Sequence, residues 1–173
     1  MEESFLLFVA MFTIALSIRN VYEVLKESEK IVAGNKPAFI VVLIAMCTLW
    51  ISWFRLCIVD PFMWIVPGSV RWIGLAITGV GTMLAVGALI QLRGLEGIDH
   101  LVTRGLFRRI RHPMYLGFMM WIIGWAVAHG AVGAVAPGAL GVISILWWRH
   151  LEDRRLERQF GGAYREYRQT TWC

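Results

Sequence analysis

Long apolar stretches separated by short polar segments dominate the chain. Three of these stretches reach the length of about 20 residues that a membrane-spanning helix needs: Phe5 to about Leu25, Pro37 to about Val59, and Trp72 to Leu92. The apolar stretch from Met114 to Trp148 is too long for one such helix and long enough for two short ones. Turn-forming residues lie at its middle: Gly130, Gly133, Pro137 and Gly138. The pattern therefore predicts an all-α, polytopic integral membrane protein with five transmembrane helices, the last two forming a helical hairpin.

The charged C-terminal segment is predicted to continue the last span as a cytosolic helix. Glu152, Leu156 and Phe160 are spaced four apart, and side chains at this spacing share one face of a helix. Because two members of that face are apolar, we expect it to turn toward the helix bundle and to carry Glu152 with it. An ionisable side chain turned inward at the end of a span is costly, which makes Glu152 a functional-site candidate. The glycine pair Gly161-Gly162 predicts a break in this helix.

Local ion pairs offer an alternative interpretation of the two acidic residues in this helix. Glu152 lies three residues from both Arg149 and Arg155, so an ion pair with either one is possible on the helix surface. Asp153 lies about 100° further round the helix than Glu152. For Asp153, a local ion pair with Arg149 is the favoured interpretation.

Composition narrows the class of protein. Apolar residues make up 58% of the chain and charged residues 17%, whereas a soluble domain has about half and about a quarter. A disordered chain is excluded, because such chains are poor in apolar residues. A disulfide scaffold is excluded as well, since two of the three cysteines, Cys47 and Cys57, lie in one apolar run. No metal site is predicted.

The distribution of basic residues predicts the orientation in the membrane. With five spans, 14 of the 17 Lys and Arg residues lie on one side, in segments 26–36, 93–111 and 149–168. The positive-inside rule makes that side cytosolic. The N-terminus is then outside, whereas the 93–113 loop, the C-terminal segment and the active site are cytosolic. The basic charge marks topology and contact with anionic membrane lipid, so a nucleic-acid partner is not needed to explain it.

The basic loop ends at a predicted helix N-terminus. Pro113 suits the first turn of the fourth span, since its missing N–H would be unpaired there. Arg111 and His112 then lie beside free backbone N–H groups, an arrangement that favours an anion. The alternative is a membrane-interface belt in which the arginine contacts lipid headgroups. The Gly-Val-Gly segment at 79–81 follows no strand, so close helix packing explains it better than a nucleotide-binding loop.

Three motifs lie in the loop and in the C-terminal helix. They are Leu101-Val102-Thr103-x-Gly105, Arg111-His112-Pro113-x-Tyr115-x-Gly117, and Glu152-Asp153-x-x-Leu156-x-x-x-Phe160-Gly161-x-x-Tyr164-x-x-Tyr167. At this spacing the set resembles the isoprenylcysteine carboxyl methyltransferase family. Phospholipid N-methyltransferases and thiol methyltransferases have a similar C-terminal half. The resemblance covers roughly residues 70 to 168. It divides the chain into two variable N-terminal spans, 1–69, and a catalytic core with the cofactor pocket, 70–173.

The resemblance implies a methyltransferase that encloses S-adenosylmethionine between the loop and the C-terminal helix. Cofactor contacts are implied for Asp99, His100, Leu101, Val102, Phe107, His112, Pro113, Met114, Tyr115 and Glu152. Asp99 stands where the family often has His, and Phe107 where it often has Tyr. Arg111 and His112 are the catalytic candidates, and Arg149 is the candidate for substrate binding.

The residue types agree with the chemistry of this cofactor. Glu152 can accept hydrogen bonds from hydroxyl or amino groups, and Arg111 or His112 can hold a carboxylate. Methyl transfer is an in-line displacement, so alignment and exclusion of water are the main requirements. A carboxylate acceptor needs no general base. A thiol or an amine must lose a proton, and no Asp–His pair dedicated to that task is evident in the sequence.

The expected methyl acceptor is lipophilic and enters from the bilayer. The predicted site adjoins lipid, so a substrate that partitions into the membrane can enter sideways between helices. We expect a prenylcysteine-like carboxylate first, a phospholipid amine second and a small thiol third. Two other classes remain open. One is an enzyme like the membrane sterol reductases that uses reduced nicotinamide, and the other is a non-enzymatic interaction protein whose arginines bind lipid headgroups.

Overall fold

Helices are the regular secondary structure of the described chain. The computed structural model describes residues 2–30, 35–92 and 100–172. Its helices are α1 (Glu2–Glu27), α2 (Lys36–Ile58), α3 (Gly68–Leu92), α4 (Pro113–His129), α5 (Val135–Phe160) and α6 (Gly162–Thr170), with a short 3-10 turn at Gly105–Arg108. No strand occurs within these residue ranges. The all-α class predicted from the sequence is confirmed, and so is the helix break between Phe160 and Gly162.

Three of the helices, α1, α2 and α3, are long and apolar enough to cross a membrane. The fourth, α4, is apolar but has only 17 residues. Helix α5 has 26 residues, and it begins apolar and ends charged. These are the helices of an α-helical membrane protein. The count of five spans stays a prediction.

The long apolar stretch after Met114 folds into two antiparallel helices, as predicted. Helix α4 ends at His129, where Gly130 adopts the left-handed conformation (φ 63°) that favours glycine. Helix α5 begins at Val135, so the turn is shorter than the sequence indicated. Pro137 lies in the first turn of α5, where its missing N–H removes no helical hydrogen bond.

The side chain of Asp60 fixes this turn from the α2–α3 connection. It is 2% exposed, and its two carboxylate oxygens accept hydrogen bonds from the backbone N–H groups of Phe62 and Ala134, both at 2.8 Å. Ala134 precedes α5 and has no side chain able to cap it. Asp60 therefore supplies, from a distant part of the chain, an acceptor for the backbone N–H of the residue that caps α5, as the third helical residue does in a capping box.

Helices α3 and α4 pack backbone against backbone. A β-carbon added at Gly117 would lie 2.5 Å from the carbonyl oxygen of Gly81, and one added at Gly124 would lie 2.7 Å from that of Gly74. Small residues allow such close approach between helices in a membrane. The packing interpretation of segment 79–81 is thus confirmed for Gly81, whereas a β-carbon at Gly79 would meet nothing within 4 Å.

Apolar side chains from α1, α2, α4 and α5 form the core. Phe12, Trp53 and Trp148 are almost completely buried in it. The rings of Phe12 and Trp53 lie 5.5 Å apart between centroids. This core leaves the remaining flank of α2, on the side of α3 and α4, free to line a cavity.

Polar contacts between α1 and α5 show the relative direction of these two helices. The indole N–H of Trp148 donates to Asn20 Oδ1 at 2.7 Å, and further along, Arg158 Nη2 lies 2.8 Å from Glu27 Oε2. Because the partners advance together along their helices, α1 and α5 run parallel. The described parts of the three basic segments are therefore collected at one end of the bundle, as the predicted topology requires. Which side of the membrane that end faces stays a prediction.

Candidate active site

A cavity of about 1090 Å³ lies among α1, α2, α3, α4 and α5 at the basic end of the bundle. This volume slightly exceeds the range of about 300–1,000 Å³ typical of a small-ligand pocket, so there is room for more than one small molecule. The lining changes from polar at one end to apolar at the other. The polar end is lined by Arg19, Tyr22, Glu23, Lys26, Glu29, Tyr115, Glu152, Arg155 and Gln159.

The apolar part of the cavity is a groove between α2 and α3. Leu43 and Ile51 line it from α2, and Val86 and Leu89 line it from α3. The same four side chains are between 39% and 59% exposed, so the groove opens sideways on the flank that faces lipid in a membrane protein. Its deep end is walled by a cluster of aromatic rings: Trp50, Phe54, Phe118 and Trp121.

Glu152 lies at the polar end of the cavity, in the inward direction expected from its helical spacing. Met114 and Tyr115 line the same end from the first turn of α4. The Tyr115 hydroxyl is close enough to the Glu152 carboxylate to interact with it. A carboxylate, a phenol and a thioether therefore border one volume.

A buried ion cluster forms the α1 wall of the cavity. Glu23 is 1% exposed. One of its carboxylate oxygens lies 2.7 Å from Arg155 Nη1 of α5, and the other is bonded to Arg19 of α1. Arg155, which the sequence offered as a local partner of Glu152, thus has an ion pair across the bundle. The sequence analysis missed this cluster. A signal for it was present, because Arg19 and Glu23 are four residues apart inside an apolar stretch, a spacing at which opposite charges pair on one helix face.

A second buried network ties the basic loop to α5 and α6. His112 is 5% exposed and Asp153 is 8% exposed. His112 Nε2 lies 2.6 Å from Asp153 Oδ1, Arg111 Nε lies 3.2 Å from the same oxygen, and the Tyr164 hydroxyl donates to it as well. The favoured interpretation of Asp153, a local ion pair with Arg149, was therefore wrong about its main role. The carboxylate joins the basic loop to α5 and α6.

The network keeps Asp153 ionised. Burial by itself would raise the pKa of Asp153, but the hydrogen bonds from His112 and Tyr164 and the charges of His112 and Arg111 lower it to about 2. Burial and the bond to Asp153 together raise the pKa of Tyr164, so its phenol stays a protonated donor. The structure thus contains an Asp–His pair, whereas the sequence showed none dedicated to taking a proton from a thiol or amine acceptor. Within the described chain, however, neither member of the pair is among the side chains that line the cavity.

Helix α6 and the segment after it cover the loop from outside. The Tyr167 hydroxyl donates to the carbonyl of Phe107 at 2.6 Å. Burial raises the pKa of Tyr167 to about 12, against the opposing charge of Arg111. Beyond α6, Trp172 exchanges backbone hydrogen bonds with Arg109 and Arg111, at 2.8 and 3.0 Å. The loop and the C-terminal segment, which the sequence singled out separately, are thus one structural unit.

The part of the chain that carries this unit matches a known family. The family model described as phospholipid methyltransferase matches residues 70–163, which is more than half of the chain. The chain belongs to the phospholipid methyltransferase family. The match covers α3, the loop, the helical hairpin and the start of α6, and it leaves out α1 and α2.

Individual methyltransferases of this kind are similar over longer stretches. The protein-S-isoprenylcysteine O-methyltransferase of Dictyostelium discoideum is 24% identical over 159 residues, covering 84% of this chain and 64% of the relative. The methanethiol S-methyltransferase of Pseudomonas deceptionensis is 31% identical over 144 residues, covering 73% of this chain and 52% of the relative. The chain therefore spans less than two thirds of the length of these relatives. No solved structure matches it.

These matches confirm the resemblance to isoprenylcysteine carboxyl methyltransferases that the motifs indicated. The structure divides the residues implied for the cofactor into groups. Three line the cavity: Met114, Tyr115 and Glu152. Three are buried: Phe107, His112 and Pro113. Leu101 and Val102 are half-buried and His100 is exposed, at the start of the described loop. Asp99 lies outside the described residues.

The remaining candidates are two arginines of the family core. Arg111, a catalytic candidate with His112, is held against Asp153. Arg149, the candidate for substrate binding, is half-buried on α5, one turn before Asp153. Their roles stay predictions, as do those of the cofactor candidates.

Proposed function

We propose that this chain is an S-adenosylmethionine-dependent methyltransferase embedded in a membrane by five transmembrane helices. Its N-terminus lies outside, and its C-terminal segment and site lie on the cytosolic side. The observation that carries the proposal is one cavity that joins a polar end, bearing Glu152 and Tyr115, to an apolar groove open toward lipid. Membership of the phospholipid methyltransferase family supports methyl transfer as the reaction.

The side chains at the polar end fit the functional groups of the cofactor. Glu152 can accept hydrogen bonds from its ribose hydroxyls or its amino group, and Lys26, the cation of this end outside the Glu23 cluster, can donate to its carboxylate. The thioether of Met114 and the neighbouring rings suit the adenine and the positively charged sulfur. When bound, S-adenosylmethionine supplies an electrophilic methyl group for in-line displacement.

The chain itself contributes binding, alignment and exclusion of water. The groove between α2 and α3 holds the apolar part of the acceptor and directs its nucleophilic end to the polar end of the cavity. The aromatic wall keeps this volume dry, which favours a reaction in which opposite charges cancel. The network of His112 and Asp153 lies outside the cavity lining, so we assign it the positioning of the loop rather than contact with the acceptor. The core thus comprises residues 70–173, and the first two spans, 1–69, form the acceptor side.

The proposed acceptor is lipophilic, and a prenylcysteine-like carboxylate is the first choice. The sideways opening of the groove supports a substrate that arrives from the bilayer. Relatives named for isoprenylcysteine support the choice of carboxylate. A thiol is the second candidate, because the relative from Pseudomonas deceptionensis, matched over 73% of this chain, is named for methanethiol. A phospholipid amine remains an alternative through the description of the family.

Calorimetry on the purified chain in detergent tests the cofactor. Adenosylhomocysteine is expected to bind and reduced nicotinamide dinucleotides are not. The reverse result would move the chain to the reductase class, and binding of neither ligand would favour a non-enzymatic membrane protein.

The variant Glu152→Gln tests the part of Glu152 in cofactor binding, because it keeps the shape of the side chain and removes its charge. It should weaken adenosylhomocysteine binding by about 1–3 kcal/mol, the range of a charged hydrogen bond, without unfolding the protein. Unchanged affinity in a folded variant would remove Glu152 from the site.

A labelled-methyl transfer assay tests the acceptor. Detergent-dispersed prenylcysteine, phosphatidylethanolamine and soluble thiols are compared, and prenylcysteine is expected to react fastest. Leu89→Trp, which narrows the groove, should slow transfer to prenylcysteine more than transfer to a small thiol. Methylation of a freely water-soluble acceptor alone would refute entry through the groove and leave the methyltransferase assignment unchanged.

Reporter fusions at both ends of the chain test the orientation in the membrane. Only the C-terminal fusion is expected to be cytosolic.

A further inference from the structure

Two carboxylates at the polar end of the cavity compete for one guanidinium. Arg155 follows Glu152 by three residues on α5, a spacing at which opposite charges pair on a helix surface. Both side chains line the cavity, and the charge of Glu152 acts on Arg155. Nevertheless, Arg155 Nη1 lies 2.7 Å from Glu23 Oε2 of α1. In the structure, Glu23 holds the cation.

Burial explains why Glu23 holds Arg155. The Glu23 side chain is 2% exposed, whereas that of Arg155 is 21% exposed. A carboxylate this deep in the bundle is stable only when charged donors satisfy both of its oxygens. Arg19 satisfies one oxygen and Arg155 the other. The arrangement fixes the Arg155 guanidinium on the α1 side of the cavity.

We propose that Glu23 is a positioning residue of the site: by holding Arg155 against α1, it leaves the Glu152 carboxylate available to the cofactor. The inference rests on the proposed function, because it requires Glu152 to bind S-adenosylmethionine. It gives α1 a part in cofactor binding, although α1 lies outside the segment that the family model matches. Without the negative charge of Glu23, Arg155 turns to Glu152, and the cofactor has to break that ion pair before it binds.

Adenosylhomocysteine calorimetry on a set of variants tests this role. Glu23→Gln should bind about tenfold more weakly than the wild type, the effect of one competing ion pair at a partly buried site. Adding Arg155→Gln removes the competing cation, so the double variant should recover to within about threefold of the wild type. Glu27→Gln is the matched control. It breaks the next ion pair between α1 and α5, to Arg158 at 2.8 Å, which is not part of the described cavity lining. Its affinity should equal that of the wild type.

The double variant separates positioning from simple attachment of α1 to α5. If Glu23 only attaches the helices, removing both partners leaves them unattached, and affinity does not recover. A double variant as weak as Glu23→Gln, or a Glu23→Gln protein that binds as tightly as the wild type, overturns the proposal. If Glu23→Gln does not fold, the double variant decides alone: tenfold weaker binding overturns the proposal, and recovery supports it. Wild-type protein that fails to bind adenosylhomocysteine overturns the proposed function itself, which is a distinct result.

Discussion

Replacing Asp153 by asparagine removes the charge at the centre of the loop network while keeping the shape of the side chain. In the folded protein the pKa of Asp153 is about 2, against an ordinary value of 3.8. Since each pH unit of difference corresponds to about 1.4 kcal/mol, the ionised carboxylate stabilises the folded state by about 2 kcal/mol at neutral pH. Asp153→Asn should lose most of this free energy.

The loss should depend on pH in a definite direction. The pKa of Asp153 is lower in the folded than in the unfolded protein, so its stabilisation is fully present above the unfolded pKa and disappears as the pH falls through the folded pKa. The stabilisation by the Asp153 carboxylate should be nearly full above about pH 5, about half of its full value near pH 3 and small near pH 2. The difference in stability between the wild type and Asp153→Asn should therefore shrink over the same interval.

Thermal unfolding in a non-ionic detergent, followed by tryptophan fluorescence, measures this difference. At about 2–4 °C per kcal/mol for a chain of this size, Asp153→Asn should unfold roughly 4–8 °C below the wild type at neutral pH. Tyr167→Phe is the matched control, because it removes a bond from α6 to a loop carbonyl that carries no charge. Its loss, about 1 kcal/mol, should not vary with pH. A deficit of Asp153→Asn that is absent at neutral pH, or constant down to about pH 3, would refute the role of the ionised carboxylate.

Further predictions concern the packing of the helices. Gly117→Leu should prevent stable assembly of α3 on α4, since even a β-carbon would lie 2.5 Å from a backbone oxygen. Gly162→Ala, at a glycine with nothing within 4 Å, should leave the melting temperature unchanged, and equal losses in the two variants would contradict the close-packing argument. Asp60→Ala should cost about 2 kcal/mol, because the buried N–H of Ala134 and the partly buried N–H of Phe62 lose their acceptor. Its melting temperature would show this, and a wild-type value would mean that Asp60 does not hold the hairpin turn.

Properties that depend on neighbours along the chain were predictable from the sequence. The length of each apolar stretch predicted a helix there. The glycines in the middle of the longest stretch predicted that it folds into a hairpin of two helices. The direction of Glu152 follows from its spacing to Leu156 and Phe160, because residues four apart share a helix face whatever surrounds the helix. The motifs of the loop and of the C-terminal helix identified the family, since all of their residues except Tyr164 and Tyr167 lie within the segment that the family model matches.

Partners across the bundle could not be predicted in this way. Asp153 meets His112 over 41 positions of sequence, and Glu23 meets Arg155 over 132. Spacing fixes the face on which each charge lies, but the partner depends on which helices pack together and at what height. Contacts such as Trp148 with Asn20 fix the height of α5 against α1, and no periodic pattern in the chain predicts them. Sequence reasoning therefore placed Glu152 correctly and misassigned Asp153, its neighbour in the chain: the first needed one helix, whereas the second needed the packed bundle.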